Sequence, residues 1–101
     1  MATATKVLSR TAATTNTATT LYTVPAATTT VISNIVVTNT AGSAGTFTLG
    51  LDGVSLASAV SIPANSITAI DLKQVLAATK TITGGASATT INFHISGVEV
   101  S

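Results

Sequence analysis

Few side chains in this 101-residue sequence can do acid–base, metal or nucleophilic chemistry. There is one histidine, His94, three carboxylates, Asp52, Asp71 and Glu99, and no cysteine. A zinc site draws on about three protein ligands, and a lone imidazole among scattered carboxylates does not supply them. Without cysteine, disulfides and thiolate metal sites are both excluded. General acid–base catalysis needs titratable groups held within hydrogen-bond reach of the reacting atoms. Here Asp52 is accounted for by the Asp52-Gly53 turn, Glu99 by an exposed position near the C-terminus, and Asp71 by a surface pair with Lys73. No serine lies in a G-x-S-x-G elbow, and Gly84-Gly85 lacks the following Lys-Ser/Thr of a phosphate loop. The expectation is a non-enzyme with no cofactor. The candidate functional residues are therefore contact residues: the apolar pair Val7 and Leu8, the cations Arg10, Lys73 and Lys80, and His94.

Composition points the same way. Charged residues are 7% and aromatics 3%, while hydrophobic residues reach 46% and threonine alone occurs 22 times. The surface must be covered by hydroxyls and methyls, and a net charge of +1 gives little long-range repulsion between copies. Four scattered basic residues do not make a nucleic-acid footprint. No apolar run approaches the roughly 18 residues that cross a bilayer as a helix. The first residues, ATATKVLSR, contain no apolar signal core. The expected partners are thus other proteins, not nucleic acid or membrane, with assembly in a cytoplasm.

The elements that must position these residues are strands. Leu21 to Val24 is a short extended run that Pro25 stops, since proline gives no N–H to a ladder. Val31 to Thr38 is dense in β-branched residues. A loop from Asn39 to Gly45 leads to Phe47, Leu49 and Leu51 alternating with Thr46, Thr48 and Gly50, the period of a half-buried strand. Asp52-Gly53 is hairpin chemistry, Val54 to Ile62 alternates again, and Pro63-Ala64-Asn65 turns the chain. Ile67 to Leu72 follows with unclear parity, because Ile67 and Ile70 fall on opposite faces. Leu72 to Thr79 reads as a loop with one turn of helix, and Lys80 to Thr83 as a strand closed by Gly84-Gly85. In Ile91 to Val100 the apolar parity switches after Gly97. That predicts a β-bulge with Gly97 at positive φ, which turns Val98 and Val100 to the core side. The expected core centre is Val24, Ile35, Val37, Phe47, Leu49, Leu51, Ile91, Phe93 and Ile95. About eight strands with turn signals at short intervals describe an all-β sandwich or barrel.

Residues 1–20 differ from the body at 21–101. They carry one apolar pair and then RTAATTNTATT, which lacks the large side chains that would offset its ordering entropy. They read as an N-terminal arm ordered only by contact with another chain, the alternative being a frayed terminus with an edge strand at Thr5 to Ser9. An arm of this kind on a charge-poor body predicts a homo-oligomer, a trimer or dimer.

TLYTVPAATTTVISNIVVTNTAGSAGTFTLGL together with the closing INFHISGVEV resembles a family of small bacteriophage virion structural proteins, over perhaps 80 residues. The resemblance implies a β-sandwich particle component, located in the virion, that decorates the head or belongs to the tail or its fibres. A small neutral domain suits gaps between shell subunits. The chain is therefore expected to be a jelly-roll-like antiparallel β-sandwich acting as a capsid decoration or cement protein, with the major capsid protein as partner. A tail-associated role is the alternative. A remote third reading, a threonine-rich ice-binding face, requires threonines aligned in rows across neighbouring strands.

Overall fold

Alternation of apolar with hydroxyl-bearing residues becomes strand wherever the sequence pattern placed it, and also where it did not. The computed structural model describes residues 3–101. Its strands are β1 (Thr3–Ala12), β2 (Thr20–Thr23), β3 (Thr29–Asn39), β4 (Gly45–Leu51), β5 (Val54–Ile62), β6 (Ser66–Leu76), β7 (Thr81–Ala86) and β8 (Ile91–Val100), with no helix among the described residues. They form two antiparallel sheets of four, ordered β1-β8-β3-β6 and β2-β7-β4-β5. The pairs β1–β8, β2–β7, β3–β6 and β4–β5 are those of one long hairpin bent at its middle. Rolling that hairpin up brings β8 beside β3 and β7 beside β4. The result is the strand order of the eight-stranded jelly roll, packed as a sandwich.

The turns follow their residue chemistry. Asp52 (φ 53°) and Gly53 (φ 74°) are both left-handed, as a two-residue hairpin requires. Asn65 takes φ 51° in the turn after Pro63. Asn39 is 3% exposed and its side-chain amide works as a staple. Nδ2 donates to Ser43 O at 2.9 Å and lies 3.2 Å from Pro63 O, while Oδ1 accepts from the Ala41 amide at 3.0 Å. One buried side chain thus ties the β3–β4 loop to the β5–β6 turn.

The core lies between the sheets. Val24, Ile35, Val37, Phe47, Leu49, Ile91, Phe93 and Ile95 are buried as the alternation predicts, whereas Leu51 is only partly buried at the margin. Phe47 of one sheet meets Phe93 of the other edge-on, with centroids 6.5 Å apart and planes at 76°, a favoured geometry for aromatic quadrupoles. Ile32, Ile62, Leu76 and Ile82 join them.

Four expectations are corrected. First, residues 3–20 are not an arm awaiting another chain. β1 pairs with β8 from Thr3 to Ala12, and Leu8 and Ala13 are buried in the core. The threonine-rich connection is ordered by hydrogen bonds instead of large side chains: Asn16 Oδ1 accepts from Ala18 N, Asn16 O accepts from Thr19 Oγ1 at 2.8 Å, and β7 donates to Thr14 O and Thr19 O at 2.9 Å each. Gly85 makes room for it, since a Cβ there would lie 2.4 Å from Asn16 O. Second, β6 continues to Leu76, so most of the expected loop at 72–79 is strand, and the turn is at Ala78-Thr79. Third, Gly84-Gly85 lies within β7 and does not close it. Fourth, Gly97 is not at positive φ, and β8 keeps its parity to the end. The extra residues sit in its neighbours, near Leu8 of β1 and Ser33 of β3. Gly97 is needed for close approach: a Cβ would meet Val31 O at 2.4 Å and Leu8 Cδ1 at 2.9 Å.

Candidate interaction surface

Because β8 keeps its alternation, Ile91, Phe93, Ile95 and Gly97 face the core, while Asn92, His94, Ser96 and Val98 face outward. Register then places rows of residues across the outer face of the β1-β8-β3-β6 sheet. One row is Thr5, Val98, Val31 and Val75. The next is Val7, Ser96, Asn34 and Asp71. Then come Arg10, His94, Val36 and Ala69, and finally Ala12, Asn92, Thr38 and Ile67. Valines and small hydroxyl residues dominate. Ile67 is 72% exposed, Val75 66% and Val7 47%. A shallow depression of about 550 Å³ opens beside the bulges, lined by Thr5, Val7, Ser33, Ser96 and Val98 among others.

Three of the six candidate contact residues come together here. Val7 is exposed on this face, and Arg10 stands directly opposite His94 across the β1–β8 ladder. Lys73 is exposed on the edge strand β6. Lys80 lies elsewhere, 3.7 Å from Asp52 at the hairpin turn. Leu8 is not a contact residue at all: the bulge turns it inward, where it is 8% exposed. The outward residues that sequence reasoning missed are Ile67, Val75, Val31 and Val98. The opposite parity of Ile67 and Ile70 was the signal that one of them leaves the core.

The polar residues near this sheet are arranged differently from the sequence expectation. Among the described residues the ion pairs are Lys6–Glu99 at 3.2 Å and Lys80–Asp52; Asp71 and Lys73 do not pair. Glu99 is not a freely exposed terminal carboxylate. It faces inward where β1 lies over β2, its side chain 14% exposed. It accepts a hydrogen bond from the Tyr22 hydroxyl and another from Lys6 Nζ. Tyr22 OH also meets Thr30 Oγ1 at 2.8 Å. The Tyr22 hydrogen bond, with the Lys6 ammonium beside it, holds the Glu99 carboxyl below the ordinary carboxylate range. Burial, with the neighbouring carboxylate, pushes the Tyr22 phenol up. These side chains from β1, β2, β3 and β8 form a clasp between the two sheets.

A second exposed apolar group, Val54, Leu56 and Val60, lies on the edge strand β5. Its ladder to β4 slips twice, and Ala59 within it takes φ 48°. Bulges of this kind bend an edge away from further strand pairing. The first sheet's outer face is the more continuous surface. Threonines on the second sheet pair at its β2 edge, Thr20 with Thr83 and Thr23 with Thr81, but the Thr20–Thr83 row stops at Gly50 of β4 and Thr48 is opposite Gly85. The Thr48 hydroxyl is already engaged by the Ala59 amide.

Fold and surface together define a jelly-roll sandwich with one sparsely charged face, covered mainly by methyls and hydroxyls. No protein-family model matches the chain, and no curated protein is found to be similar to it.

Proposed function

We propose that this chain is a non-enzymatic structural protein of a bacteriophage particle, functioning through protein–protein contact as a capsid decoration or cement protein. The observation that carries the proposal is the outer face of the β1-β8-β3-β6 sheet. Four strands about 4.8 Å apart and ten residues long span roughly 600–650 Å². Two such surfaces in contact would bury on the order of 1,200–1,300 Å², at the low end for a specific interface. Contacts of that size are individually modest and become effective when many copies act together. The resemblance of Leu21–Thr40 and Phe93–Val100 to phage virion proteins supports the setting, and the jelly roll is a fold that capsid proteins use. In this reading the chain works as a homo-oligomer, a dimer or trimer, seated on other virion proteins. The tail-associated alternative differs only in the neighbours.

Imaging the purified particle at side-chain resolution tests this reading. The expected result is a two-sheet density on the head with Val31, Val75 and Val98 against a neighbouring subunit. Absence of the chain from the particle, or its presence with this face open to solvent, would overturn the proposal.

A further inference from the structure

The N-terminal strand is divided in two by its bulge. After the bulge, Ser9–Ala12 runs into Ala13, which is buried. Before it, Thr3, Ala4, Thr5, Lys6 and Val7 are all exposed. β1 is an edge strand, so this first stretch has one ladder only, to β8 between Ser96 and Val100. Between the two halves Leu8 is seated in the core over Gly97. The strand is therefore a lever without core anchorage on a pivot that has it. One side-chain lock holds the lever, the Lys6–Glu99 pair.

We infer that Thr3–Val7 is an exchangeable strand, which leaves its own β8 and pairs with β8 of a second copy of this chain when copies are brought together. Register identifies the occupant. A vacated β8 presents unpaired backbone from Ser96 to Val100 and, inward, the Glu99 carboxylate. A replacing strand must place a cation opposite Gly97 and keep small or hydroxyl-bearing residues opposite Val98 and Val100. Thr3–Val7 of another copy meets each requirement, because Lys6 is opposite Gly97, Thr5 opposite Val98 and Thr3 opposite Val100. Exchange thus restores the native contacts, and its cost is confined to opening. A tethered strand competes at an effective concentration of roughly millimolar, so exchange belongs to crowded arrays and not to dilute protein. The inference rests on the reading of this chain as an assembling protein.

The sequence has no cysteine, so a pair introduced at Thr5 and Val98, which face each other, reports the pairing as a disulfide. Thr5→Cys/Val98→Cys protein is oxidised across about 10 µM to 1 mM, a range bracketing the tethered concentration, then separated without reductant, with native size followed by light scattering. Interchain links joining position 5 of one chain to position 98 of another are identified by peptide mapping and counted apart from the 5–5 and 98–98 links that face contact alone could give. They are expected to rise at least about fivefold over that range, and to form faster when Glu99→Gln removes the charge of the lock. An out-of-register pair, Thr5→Cys/Asn92→Cys, is expected to give fewer interchain links between its two different positions than the in-register pair, because exchange does not bring them together. Intrachain links alone at every concentration, even with Glu99→Gln, would overturn the exchange, as would equal interchain linking in the out-of-register pair. Oligomers containing only intrachain links would leave assembly standing without exchange; a monomer at every concentration would remove both.

Discussion

Glu99 and Gly97 show how one strand end can carry both a closing device and a packing constraint. The folded state holds the Glu99 carboxyl below its ordinary range, through the Tyr22 hydroxyl first and Lys6 second. Its contribution to stability is therefore present above the ordinary carboxylate range and is lost as pH falls through the lowered folded value. Tyr22, pushed up, contributes below its ordinary range and loses that contribution as pH rises through its folded value. Thermal melts across pH should show an acid limb that Glu99→Gln flattens; an unchanged limb would mean that the clasp does not couple to folding. Gly97→Ala pushes a methyl against the Val31 carbonyl, a backbone atom with little room to move. Overpacking of this kind costs about 1–3 kcal/mol. Phe93→Ala removes half of the aromatic contact and opens a cavity in a fully buried site. A loss of about 3–5 kcal/mol is expected, read as a fall in Tm of more than about 10 °C for a domain of this size. Buried Phe93 was legible from its alternation with Asn92 and His94. The inward turn of Glu99 was not, because its partners are distant in sequence and arrive only with the jelly-roll topology.

At the scale of elements, strands were legible where apolar alternation was strong and illegible where hydroxyls did the work. β3, β4 and β8 follow their β-branched and aromatic residues. β1 and its connection to β2 look like an unanchored tract by composition, yet Asn16 and the surrounding threonines supply the hydrogen bonds that fix it. The bulge at Leu8 also hid the anchor, since it puts an apolar residue inward one step out of phase. Removing residues 1–20 is accordingly expected to abolish cooperative folding, because it takes Leu8 and Ala13 from the core and leaves β8 as an open edge. A truncated protein that still melted in one sharp transition would contradict this. β5 offers the opposite case. Ala59 holds a left-handed conformation that costs a non-glycine residue about 1–2 kcal/mol. Ala59→Gly should relieve part of that strain, offset by the greater freedom of glycine in the unfolded chain. A rise in Tm of a few degrees is the expected result, and a fall would show that the bulge needs its methyl.

For the whole molecule, the few charges are distributed with a purpose that composition does not reveal. Four of the seven charged residues, Lys6, Arg10, Asp71 and Lys73, lie on β1 and β6, the two edges of the first sheet. Charged edges discourage strand addition, while the face between those edges is left almost neutral. Arg10 and Asp71 carry charge in its four rows, and Lys73 shares the outward parity of Asp71 and Val75. Association through this face should therefore be driven by burial of Val31, Val75, Val98 and Ile67, and not by attraction between charges. Sodium chloride screens exposed charges over about 10 Å at 0.1 M and about 3 Å at 1 M, but leaves apolar burial nearly untouched. The dissociation constant of the proposed oligomer, measured by sedimentation, is expected to change by less than about threefold across that range. Sulfate, which strengthens apolar burial by its exclusion from protein surface, should tighten it. Val98→Lys, at the centre of the valine row, should weaken association by about tenfold or more, as a desolvated unpaired charge does, with Tm of the monomer nearly unchanged because the site lies outside the core. Strong weakening by sodium chloride, together with tolerance of Val98→Lys, would transfer the interface from the valine row to Arg10 and Asp71.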